Sequence, residues 1–172
     1  TNLGEIMTLA AALMIGLPLP MTAAMILWVN LVTDGACTVP LGLEPKHLDV
    51  LHRPPLPPNT GILDRRQIFR VFLLAPLMAA GTLGLFMYYV QSESLAKSQT
   101  VAFTTLAAFQ WFYALAARTT QISIFKAGLL SNRWVVLGVV SAVTLQLSAI
   151  YTPLGRHVFH TIPLTLMDWF RI

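Results

Sequence analysis

Asn30, Thr33 and Asp34 place an amide, a hydroxyl and a carboxylate inside a stretch that is otherwise apolar. Their i, i+3, i+4 spacing sets all three on one face of a helix. Asn2 and Glu5, at i, i+3, share a face of a preceding helix. Oxygen donors of this kind are the ligands of hard cations such as Ca²⁺, which takes about six to eight of them. No Cys or His cluster accompanies them, so the set does not suit a soft metal. A charge near mid-membrane costs roughly 2.5–3.5 kcal/mol, so such a group has a function or a partner. Two readings stand side by side: a cation site, or an interhelical hydrogen-bond network that holds a bundle together. Gln110, which shares a face with Tyr113, either adds an oxygen ligand or bonds a neighbouring backbone, and Gln146 reads as structural. His157 and His160 have metal-ligand spacing but no partners. Cys37, the one cysteine, reads as a small buried side chain. No phosphate-cradling Gly-rich loop and no nucleophile–base pair is present, so no catalytic residue is expected in the chain.

The elements that position these groups must lie in a membrane. No Asp, Glu, Lys or Arg occurs in 6–33, 71–92, 98–117 or 134–155. Runs of about 18 or more such residues are long enough to cross the hydrocarbon core. The fold class expected is therefore all-α, a polytopic bundle of about six transmembrane helices in antiparallel hairpins, with the first and last truncated. Residues 1–172 form a single transmembrane domain. Pro18 and Pro20 break the first run into helices at 1–17 and about 21–41. Counted from that turn at 1.5 Å per residue, Glu5 and Asp34 both lie about 20 Å away, at similar heights on helices expected to pack side by side. Further helices are expected at about 68–91, 98–118 and 134–152, with a last apolar stretch from Ile162.

Basic residues in short loops set the orientation. The Pro-rich loop at about 42–66 carries Lys46, Arg53, Arg65 and Arg66, and the 118–133 loop carries Arg118, Lys126 and Arg133. The opposite turns hold only Lys97 and Arg156. Loops 42–66 and 118–133 are therefore expected in the cytoplasm. The net charge of +4 bears on this orientation, and nucleic acid is not expected as a partner. The opening Thr1-Asn2-Leu3-Gly4-Glu5 lacks the basic leading region of a signal peptide and reads as the middle of a longer chain.

Leu27-Trp28-Val29-Asn30-Leu31-Val32-Thr33-Asp34-Gly35 resembles the sixth transmembrane helix of type II P-type ATPases, in the calcium-pump branch. Leu41-Gly42-Leu43-Glu44-Pro45, Leu48-Asp49-Val50-Leu51 and Arg53-Pro54-Pro55 are similar to the cytoplasmic loop that follows it. Asn2-Leu3-Gly4-Glu5 resembles the ion-binding part of the fifth helix. Thr100 to Thr105 with Phe109-Gln110 resembles the eighth. The resemblance implies that Asn30 and Asp34 serve a cation site common to one-ion and two-ion pumps, and that Asn2, Glu5 and Thr33 complete a second. The family's second site also uses a glutamate in the eighth helix. Gln110 stands there instead, a departure that weakens the case for two calcium ions per cycle. Asn30, where sodium and potassium pumps tend to carry Asp, leans toward Ca²⁺.

The resemblance implies further parts that this sequence does not contain: the phosphorylated aspartate in its DKTG motif, the domains that handle ATP and Mg²⁺, and the fourth helix. Expected partners are membrane lipid and those helices and cytoplasmic domains, in a plasma membrane such as the bacterial inner membrane. By itself the chain is not expected to hydrolyse ATP. The alternatives are a standalone ion-binding membrane module or accessory subunit, and a channel or secondary transporter using the same polar face, although no internal repeat is present.

Overall fold

A computed structural model of the chain describes residues 2–43, 65–117 and 132–172. The side chains of Thr33 and Asp34 lie outside that description, as do most of the Pro-rich loop and the 118–131 loop. Helix α1 spans Asn2–Met14. It ends where Gly16 takes a left-handed φ of 72°. The Leu17 amide then reaches back to the Ala12 carbonyl (2.9 Å), closing the helix in the manner glycine permits. Pro18 and Pro20 fall in the turn, and Thr22 caps the next helix, its hydroxyl accepting from the Met25 amide.

The second run is helical from Ala23 to Leu43, but it is not the single α-helix the sequence suggested. It passes through α2 (Ala23–Trp28), a π-helical turn (Val29–Thr33), α3 (Asp34–Thr38) and a 3₁₀ turn (Val39–Leu43). The 3₁₀ end has a local cause. Pro40 has no N–H for the Ala36 carbonyl four residues back, and its ring crowds that carbonyl. The π turn holds Asn30 and Thr33, and such widened turns occur frequently at functional sites.

Helix α4 (Arg65–Ser92) continues through Pro76 and turns directly into α5 (Leu95–Ala117). Helix α6 (Arg133–Tyr151) is capped by the Asn132 side chain. The turn expected after it contains a short helix, α7 (Pro153–Phe159), and the last apolar stretch runs irregularly to α8 (Leu166–Arg171).

The two helices of the first hairpin do not lie along each other as expected. α1 packs chiefly on α4, while the 23–43 run packs on α5 and α6. Helix α5 is the axis of the bundle, buried almost continuously from Ser98 to Ala108. Its hydroxyls cause no penalty there, because Thr100, Thr104 and Thr105 each donate to the carbonyl four residues back at 2.7–2.8 Å. Three helical stretches, 23–42, 67–92 and 133–151, are long and apolar enough to cross a membrane. Ile68, Phe69, Phe72, Leu73 and Leu77 lie exposed along α4, which a lipid environment accommodates and water does not. The chain is an all-α integral membrane bundle.

Candidate functional site

Glu5 points from α1 across the opening between the hairpin helices and is 3% exposed. Its Oε2 accepts from Asn30 Nδ2 at 2.7 Å. Its Oε1 accepts from Gln110 Nε2 at 3.2 Å. One carboxylate thus joins three elements, α1, the π turn and α5. Asn30 uses its second amide proton on the Ile26 carbonyl at 3.0 Å, at the point where the winding widens. Both Asn30 amide protons are thus committed. Gln110 is 2% exposed, and its Oε1 is buried without a hydrogen-bond partner.

Two amide donors on one buried carboxylate are charge-assisted bonds, and they offset part of the cost of removing that charge from water. The cluster therefore satisfies the acid while leaving the Gln110 amide oxygen unspent, the ligand type a hard cation takes. Among the described residues no three His, Cys, Asp or Glu side chains gather, so a cation here would be held by mixed carboxylate, amide, hydroxyl and backbone oxygens.

Of the residues the sequence singled out, the structure brings Glu5, Asn30 and Gln110 into one hydrogen-bonded group. Asn2 is exposed one turn before Glu5. The backbone of Thr33 closes the π turn and that of Asp34 opens α3, one turn beyond Asn30. Gln110 bonds the Glu5 carboxylate rather than a neighbouring backbone. Gln146 is fully buried but makes no hydrogen bond through either amide atom, so it does not tie helices together. Cys37 is buried, as a small side chain in an apolar stretch would be.

A second polar cluster went unread in the sequence. Tyr89 donates to Asp168 Oδ1 at 2.6 Å, and Thr165 donates to Oδ2 through both its amide and its hydroxyl at 2.8 Å. Lys97 lies 2.9 Å from Glu93 and 3.6 Å from Asp168, and Arg171 donates to the Tyr89 oxygen at 3.3 Å. Burial would raise the Asp168 carboxyl, but the bonds from Tyr89 and Thr165, with the Lys97 charge, hold it below the usual carboxylate value. The bond to Glu93 raises Lys97. The legible signal was Thr165-x-x-Asp168, a capping box that opens α8. Every group in this cluster is paired within the chain, so it fastens α8 to the α4–α5 turn.

The family described as "Cation transporting ATPase, C-terminus" matches residues 18–172. The chain belongs to that family. It is 35% identical over 98% of its length to a calcium-transporting ATPase of Bacillus subtilis (strain 168). It is 32% identical over its whole length to a probable cation-transporting ATPase F of Mycobacterium tuberculosis (strain ATCC 25618 / H37Rv). It is 34% identical over 98% of its length to the calcium-transporting ATPase type 2C member 2 of Mus musculus. The chain spans about a fifth of the length of these relatives (19%, 19% and 18%). The family match begins at Pro18, after Asn2 and Glu5, but the alignments to the relatives cover almost the whole chain. The type II P-type resemblance drawn from Asn2–Glu5 and Leu27–Pro55 therefore agrees with the relatives found.

Proposed function

We propose that this chain is the membrane part of an ATP-driven cation pump and that it supplies intramembrane oxygen ligands for the transported ion, Ca²⁺. The ligand set is Glu5, Asn30, Thr33 and Asp34, with Asn2 and Gln110 at its edges. The observation that carries this reading is the buried Glu5 carboxylate held by the Asn30 and Gln110 amides at a π turn. The printed names of the relatives, calcium-transporting ATPases among them, support the choice of ion.

In this reading the amide protons occupy the carboxylate while the site is empty. An arriving cation takes their place, and the same amides turn their oxygens toward it. The exchange keeps the acid paired in both states, which avoids an isolated buried charge. ATP and Mg²⁺ act in parts of the pump beyond this sequence. Phosphorylation there tilts the helices and alternates access to the site. Loops 42–66 and 118–133 face the cytoplasm, in the plasma membrane, where the Pro-rich loop couples the ATP-handling domains to the first hairpin.

The test is Ca²⁺-dependent phosphorylation of the full-length pump, with Asp34→Asn and Glu5→Gln as variants. Loss of Ca²⁺ dependence in both, with normal accumulation in the membrane, is the expected outcome. Wild-type Ca²⁺ dependence in both variants would sink the reading and favour a structural network.

A further inference from the structure

Gln146 is the one polar side chain on the buried face of α6, among Val135, Gly138, Ala142, Ala149 and Ile150. It is 0% exposed, and neither its Oε1 nor its Nε2 has a hydrogen-bond partner. A buried amide with no partner has lost its bonds to water without replacement, so a glutamine placed here with nothing to bind is unfavourable against any apolar residue of its size.

Its position follows from the register of α6 against its neighbours. Near one end, a Cβ on Gly138 would lie 2.3 Å from the Ala36 oxygen and 2.7 Å from Pro40 Cγ, so Gly138 sits directly on that pair. Near the other, Trp28 shares one crevice with Ser148, Ala149 and Thr152. The 23–43 run and α6 are therefore antiparallel. Both rise about 1.5 Å per residue, so Gln146 falls opposite the stretch from Asn30 to Thr33. On α5, Ala142 clusters with Ala114 and Trp111, whereas Ala149 clusters with Phe103 and Leu106. The same interpolation sets Gln146 near the level of Ala108, about half a turn from Gln110.

That level collects the unspent polar atoms. Among the described residues six buried side-chain atoms lack a partner. Three of them lie within a turn of one another: Gln110 Oε1 and both amide atoms of Gln146. The two amide oxygens, of Gln110 and Gln146, are neutral donors of the type a hard cation takes.

We infer that Gln146 is a further cation-ligating residue, which contributes its amide oxygen from α6, across from the turn that carries Asn30 and Thr33. This rests on the proposed cation site and adds a fourth helical element to it. The coordination then draws on α1, the 23–43 run, α5 and α6.

The experiment measures the Ca²⁺ concentration for half-maximal phosphorylation of the full-length pump, together with thermal inactivation in detergent. Gln146→Met keeps the length and removes the oxygen. It should raise the half-saturating Ca²⁺ about tenfold, the equivalent of roughly 1.4 kcal/mol, with thermal inactivation unchanged or improved. Gln146→Glu keeps an oxygen and should stay within about threefold of wild type. An unchanged Ca²⁺ dependence in Gln146→Met, or a change in thermal inactivation alone, would overturn the inference and leave a buried water as the occupant. A tenfold loss in Gln146→Glu would overturn it as well, even if Gln146→Met fails to accumulate. Asp34→Asn separates the two readings. If it abolishes Ca²⁺ dependence while Gln146→Met does not alter it, the proposed site stands and only the role of Gln146 falls.

Discussion

Gly138→Ala perturbs the site from a helix that carries no charge inside the bundle. The added Cβ would lie 2.3 Å from the Ala36 carbonyl oxygen and 2.7 Å from Pro40 Cγ. Ordinary contact begins at about 3.5 Å, so the two helices must part by about 1 Å. The nearer obstacle is backbone, which cannot swing aside as a side chain can. Overpacking of this kind costs about 1–3 kcal/mol, and the gain in helix propensity from Gly to Ala returns about 1 kcal/mol. The net expectation is about 1 kcal/mol of destabilisation, with the displaced Ala36 and Pro40 two and six residues from Asp34. A displacement near 1 Å can cost about 100-fold where geometry matters, so Ca²⁺ dependence should weaken along with stability. The assay is thermal inactivation of the full-length pump in detergent, with the Ca²⁺ dependence of phosphorylation measured on the same preparation. Adding Pro40→Ala removes the Cγ contact and restores an N–H for the Ala36 carbonyl, so it should recover part of both losses. Wild-type stability and Ca²⁺ dependence in Gly138→Ala would show that α6 does not seat the 23–43 run in this way.

Other perturbations separate packing from ion chemistry. Glu5→Gln removes a buried charge and one charge-assisted acceptor together. Thermal stability should hold within about 1 kcal/mol while Ca²⁺ affinity falls at least tenfold, read by equilibrium binding. Tyr89→Phe removes the 2.6 Å bond to Asp168 and should cost about 1.5–3 kcal/mol, seen as earlier proteolysis near α8 with unchanged Ca²⁺ dependence. The Asp168 carboxyl lies below its ordinary value when folded. Its contribution is present above the unfolded carboxylate range near pH 4 and is lost as pH falls through the folded value, so α8 should loosen in acid. Asp168→Asn should abolish that acid step in a pH series of limited proteolysis. Lys97 is raised, so its contribution is complete below about pH 10 and fades above that, a step Lys97→Met should remove.

Much of this protein could be read along the chain. Runs without charge dictate membrane-spanning helices, because an uncompensated charge in hydrocarbon is costly. Pro18, Gly16 and Pro20 mark the first turn, since only glycine takes the left-handed cap easily and proline cannot continue a helix. Asn30, Thr33, Asp34 and Glu5 stood out for the same reason: polar oxygen is rarely spent where lipid surrounds it. Tertiary structure decided what Glu5 and Asn30 meet. Helical periodicity states which residues share a face but not which helix lies against it. The hairpin partners therefore splay, α1 onto α4 and the 23–43 run onto α5 and α6. The π turn was illegible because it depends on how that run is seated against its neighbours. Gln110 and Gln146 look alike in the sequence, two amides in apolar helices. Packing alone turns one onto Glu5 at 3.2 Å and leaves the other buried with both amide atoms unpaired.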